Sequence, residues 1–173
     1  MRRAVLAALL ALSLFSESVS AAHAQDAPDA YLPDESVIPD GYAIRAELVT
    51  RNSQGESLEQ WYDDDATEST LRVIAMAAGS DAAAKAACDT ASARLRSDDF
   101  DVQPTVVGSM PGIVAERRLG LAYQRASYVA VGPACLGVMT LGQEDRLPEG
   151  SEAPILRAMM TRVQAASLPA SAW

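Results

Sequence analysis

The sequence predicts an α+β domain, an antiparallel sheet of about six to seven strands with two helices packed on it. Three observations point there. Short stretches of strand character recur between turn clusters rich in Gly, Pro, Asn and Asp. Two longer segments carry apolar residues at helical spacing instead. The last four strand candidates are joined by connections too short for a crossover helix, which makes them antiparallel neighbours.

Ahead of the domain, Met1-Arg2-Arg3 is a basic start, Ala4 to Phe15 is apolar, and Ala22-His23-Ala24 is a small-x-small sequence. Together they read as a secretory signal peptide over residues 1–24, cleaved after Ala24. An apolar run of about 12 residues is too short to span a bilayer as a helix. Cleavage removes His23, the single histidine, and leaves Gln25 to Trp173. Residues 25–40 hold three prolines and five acids and read as an extended N-terminal arm, pinned by Tyr31, Leu32, Val37 and Ile38.

The domain itself is expected over residues 41–167. Tyr42, Ile44, Ala46 and Leu48 alternate with Arg45 and Glu47, the pattern of a half-buried strand. Arg51 to Gly55 is a turn cluster, Leu58 to Tyr62 the return strand, and Asp63-Asp64-Asp65 opens the next loop. Leu71 to Ala78 is nearly all apolar and suits a strand buried on both faces. Gly79-Ser80-Asp81 supplies a stop and an N-cap. Asp81 to Arg96 is then a helix with a stripe of small residues, Ala84, Ala87, Cys88, Ala91 and Leu95, so Cys88 faces inward. Val102–Val107, Ile113–Leu119, Tyr123–Val131 and Cys135–Leu141 form a meander. After a polar loop, Ser151 is placed to cap a helix to about Ala166, with Pro154 tolerated in its first turn and Ile155 or Leu156, Met159, Met160 and Val163 on its core face. Residues 168–173 form a tail.

In this order the chain resembles PsbP-like extracytoplasmic domains. The resembling segments are the lead-in Ile38-Pro39-Asp40-Gly41-Tyr42, the strand-to-helix passage Val73 to Leu95, the hairpin Ser127 to Thr140 and the closing helix Ala153 to Val163. The resemblance implies a binding or assembly module. It brings no catalytic motif and no site residues.

Cys88 and Cys135 would meet as a disulfide between the first helix and the last strand in an oxidising compartment. Two buried free thiols are the alternative. Such a bridge closes a loop of about 48 residues, worth about 4 kcal/mol in the chain-entropy model.

Charge and composition narrow the function. The 14 basic and 23 acidic residues become 12 and 22 when Arg2, Arg3 and Glu17 leave with the signal, a net charge of −10. That balance argues against nucleic acid and against anionic membrane surfaces. No second apolar run approaches spanning length, so no integral membrane segment is expected after signal removal. Without histidine, Ser-His-Asp and Cys-His catalysis and His-based zinc sites are out of reach. No phosphate loop or dinucleotide fingerprint is present, so no cofactor is expected. Asp63-Asp64-Asp65 could hold a hard cation, but it lacks an EF-hand frame and reads as a solvated loop; no metal is expected. Trp61 and Tyr62 form a candidate ligand or partner patch, or half-buried packing. Arg117, Arg118 and Arg125, on adjacent strand candidates, form a candidate anion patch, or cross-strand pairs with acids.

The expectation is an exported, periplasmic or secreted, non-enzymatic domain that binds an envelope protein or a small ligand. The alternative is a glycosidase-like hydrolase using a pair of carboxylates.

Overall fold

The structure, a computed structural model, describes residues 27–167 except 53–54, 145–146 and 148–149. The signal segment and the tail lie outside the described residues.

Seven strands form one sheet: β1 (Ala43–Asn52), β2 (Gly55–Asp64), β3 (Ser69–Ala77), β4 (Asp101–Val107), β5 (Met110–Leu119), β6 (Ala122–Val131) and β7 (Ala134–Gln143). Their order is β1-β2-β3-β7-β6-β5-β4, with every neighbour antiparallel. The sheet is therefore two meanders joined where β3 pairs with β7. Helix α1 (Asp81–Ser97) carries the chain from β3 to the far edge, and α2 (Glu152–Ala166) closes the domain. The expected α+β architecture is present.

Each helix takes one face. Leu58, Tyr62, Leu71, Val73, Val129, Leu136 and Val138 pack with Ile155, Leu156, Met159 and Val163 of α2. On the opposite face, Ile74, Ala115, Ala126, Tyr128 and Cys135 pack with Ala87 and Leu95 of α1 and with Phe100. Small residues on α1 let it lie close to the sheet: Ala84 is fully buried and Ala87 nearly so. Ser80 caps α1, its Oγ accepting from the Ala83 amide at 3.2 Å. Cys88 and Cys135 are joined, with Cα atoms 5.6 Å apart, so the helix is bonded to the strand beneath it.

Several local expectations need correction. The arm is not extended. It folds into two 3₁₀ turns, Pro28–Tyr31 and Glu35–Val37, because Tyr31, Leu32 and Ile38 bury themselves in the α2-side core. Arg162 of α2 holds it, donating to Asp34 Oδ1 at 2.6 Å and to the Ala30 carbonyl at 3.1 Å. β1 is not half-buried: Ile44, Leu48 and Val49 are each at least 51% exposed. It is an edge strand that neither helix reaches, so its alternation has no core to face. Tyr42 precedes the strand, and its hydroxyl pairs with Ser69 Oγ at 2.6 Å. Asp63 and Asp64 end β2 rather than opening a loop. Ser151 does not cap α2: its backbone is already helical, and its buried Oγ has no hydrogen-bond partner among the described residues.

Helix α1 ends with the Phe100 amide donating back to the Leu95 carbonyl at 3.0 Å and Asp99 in left-handed conformation, φ 63°. Glycine is the residue that adopts this geometry freely. D99G is expected to stabilise the domain by about 0.5–1 kcal/mol, read as a rise of a few degrees in thermal midpoint. C88A/C135A is expected to cost about 4 kcal/mol, measured as a loss of urea midpoint. Peptide mapping without reductant should recover a Cys88–Cys135 cross-linked peptide; both thiols free to alkylation would contradict the bridge.

Candidate functional site

Seven strands are wider than one helix, so α1 covers only part of its face. It packs on β6, β7 and β4 and leaves the β1–β2–β3 side open. Between the helix flank and the open strands runs a groove of about 500 Å³. The pleat decides which side chains enter it. From β3 come Arg72, Ile74 and Met76, from β7 Met139, and from β6 Gln124 and Tyr128, alternating with residues committed to the other core.

The floor is mixed: Ile74, Met76, Met139 and Tyr128 lie beside Glu59, Arg72 and Gln124 of the same sheet, and α1 adds Arg94 at the rim. Arg72 donates from Nε to Glu59 Oε2 at 2.9 Å, and its Nη2 reaches the same oxygen. Its guanidinium lies 4.9 Å from the centroid of the Trp61 ring. At the end of the groove Arg117 donates to Gln124 Oε1 at 2.9 Å and to the Asp98 carbonyl at 2.6 Å, and sits 4.4 Å over Phe100. Arg94, on the flank of α1, has no hydrogen-bond or ion-pair partner for its guanidinium among the described residues. Three arginines against Glu59 and Asp98 make the groove locally positive on a chain of net charge −9. Tyr128 forms part of the floor. Burial pushes its pKa up, more than the nearby Arg72 pulls it down, so it stays a neutral phenol.

Tyr128 fits only because residue 137 is glycine. A Cβ there would sit 2.4 Å from the Tyr128 ring. The ring thus lies across the sheet surface instead of standing above it.

The residues singled out from sequence are divided by the sheet. Trp61 is on the groove face, 38% exposed, while Tyr62 is buried on the opposite face at 5%. Successive residues of a strand point to opposite faces, so they cannot form one patch. Arg117 is in the groove. Arg125 is on the α2 side, where Glu116 Oε1 stands 3.5 Å from its Nε, the cross-strand acid expected as the alternative reading. Beside that pair, burial and then the Glu116 carboxylate push Tyr123 up to about 12. Arg72 and Arg94 were not singled out. The signal for Arg94 is its place in α1, one position from Leu95 and three from Ala91, on the flank of the buried stripe.

The acidic cluster is a turn rather than a cation site. Asp64 accepts from the Ala66 amide at 2.9 Å and from Thr67 Oγ1 at 2.7 Å, and Asp63 pairs with Arg45 at 2.7 Å. Among the described residues no group of three or more metal-ligating side chains forms. The groove's Glu59 is held by Arg72, which leaves it poorly placed as the free partner that a carboxylate-pair hydrolase needs.

No protein-family model matches the chain, and no curated protein matches it. Among solved structures, the extracellular domain of PknH from Mycobacterium tuberculosis aligns with a TM-score of 0.52 over 83% of this chain and 97% of that one, at 8% identity. The likeness is one of fold. A Bacteroides thetaiotaomicron protein aligns over 68% of this chain and 43% of its own, at 11% identity and a TM-score of 0.38. Neither is described as a PsbP-like domain. No helix among the described residues is long and apolar enough to cross a membrane.

The Thr67 hydroxyl, before the backbone amides, lowers the Asp64 pKa below its usual 3.8. A depressed carboxylate contributes stability that is present above its unfolded pKa and lost as pH falls through the folded one. D64N is therefore expected to be less stable than wild type at neutral pH, with the gap closing below pH 3.8. Urea midpoints measured from pH 7 (about neutral) downward check this; a gap that stays constant with pH would contradict it.

Proposed function

We propose that this is an exported, non-enzymatic binding domain whose groove takes a small molecule with an apolar body and one anionic group. The observation that carries the reading is Arg94, a guanidinium without a partner among the described residues, on the rim of a groove whose floor includes Ile74, Met76 and Met139. A volume of about 500 Å³ suits a small ligand. Ile74, Met76 and Met139 offer apolar contact, and methionine adapts to varied shapes. Arg72 and Arg117 are already engaged, which holds them rigid and leaves Arg94 as the group that gains a partner on binding.

Export is supported by the signal-like start of the chain, by the bridge between Cys88 and Cys135, and by the shared fold with an extracellular domain. The resemblance to PsbP-like modules points the same way, to binding rather than turnover. The hydrolase reading has no observation in its favour.

Calorimetric titration with decanoate, decanol and decyltrimethylammonium tests the reading, because the three share an apolar chain and differ in charge. Decanoate is expected to bind and the cation not to. R94E is expected to weaken decanoate about tenfold or more while leaving decanol unchanged, consistent with loss of a charge-assisted contact. Equal affinity for acid and alcohol, or an R94E variant that binds decanoate like wild type, would overturn it.

A further inference from the structure

The two edges of the sheet are built differently. β4 carries Pro104, which offers no N–H to an incoming strand. β1 has no proline along its ten residues, and Ile44, Leu48 and Val49 are 53%, 52% and 51% exposed on it. Every second residue of an edge strand points its backbone N–H and C=O outward, so β1 is a template for another strand.

The regular part of this edge is symmetric about one residue. The ladder with β2 is irregular between Ile44 and Ala46, and from Ala46 to Asn52 it is continuous. The midpoint of that stretch is Val49. If a second β1 pairs antiparallel about a two-fold axis at Val49, Glu47 stands opposite the partner's Arg51, and Arg51 opposite the partner's Glu47. These side chains share one face with Val49, so the two ion pairs flank a Val–Val contact. Leu48 falls opposite the partner's Thr50 on the other face. An axis one residue earlier, at Leu48, instead sets Arg45 against the partner's Arg51.

Existing contacts prepare the arrangement. Glu47 accepts from Gln60 at 3.1 Å, and Arg51 donates to Glu56 at 2.7 and 3.2 Å. Both keep a side exposed to solvent, and pairing would extend them into one row of alternating charge.

We propose that the protein forms a homodimer by antiparallel pairing of β1 with β1 of a second copy, centred on Val49. It makes one continuous sheet through both copies and is independent of what the groove binds.

Sedimentation equilibrium of the exported protein tests this through charge. E47R places like charges opposite at both symmetric positions, and so does R51E; each alone is expected to weaken self-association about tenfold or more. Mixed in equal amounts, the two single variants become complementary, and a heterodimer is expected at wild-type affinity. The double variant E47R/R51E is expected to dimerise like wild type. All substitutions are on exposed side chains, and circular dichroism checks that each variant is folded. A wild type that stays monomeric at roughly 100 μM, a dimer indifferent to both single variants, or a mixture that fails to associate would each overturn the proposal.

Discussion

The structure rests on a mismatch of widths. Seven strands at about 4.8 Å spacing make a sheet roughly 30 Å across, and a packed helix covers about 10 Å of it. The central strand β7 must be buried on both faces, so each face receives one helix over β7 and β6, with β1 left bare at the far edge. On the α2 side the shortfall is met by the N-terminal arm, which brings Tyr31, Leu32 and Ile38 over the β2–β3 half. On the α1 side nothing comparable arrives. The groove and the bare β1 edge both follow from that shortage of cover.

The bridge sharpens the same constraint. Cys88 lies mid-helix, and Cys135 lies on the strand next to β3, so the helix is fastened at the line where cover stops. The flank that carries Arg94 is one to two turns further along, close enough to be held by that fastening. A rim held in place does not have to be ordered when a ligand arrives, and ordering is a large part of what weakens binding. The bridge in this way couples the attachment of α1 to the geometry of the groove beside it.

Much of the fold was legible from local pattern. The strands of the second meander, the two helices and the core face of α2 follow from period and turn chemistry, and Met159, Met160 and Val163 are buried as their spacing predicts. What pattern could not supply is the number of layers above each residue. The alternation from Tyr42 to Leu48 has the period of a half-buried strand, yet β1 has no layer on either side. Trp61 and Tyr62 are neighbours in sequence and lie on opposite faces of the sheet. The groove was hidden for a related reason. Glu59, Arg72, Arg94, Arg117 and Tyr128 come from β2, β3, α1, β5 and β6, and only the strand order, with β7 inserted beside β3, brings them together.

Gly137 sets the depth of that groove. Tyr128 lies flat because there is no side chain beneath it, and a single methyl group at that position would meet the ring at 2.4 Å. The ring would have to lift into the space that Ile74 and Met139 now share with solvent. The volume available to a guest is therefore governed by an atom that is missing from the strand behind it. A chain with alanine there would keep the same arginines around a shallower trough.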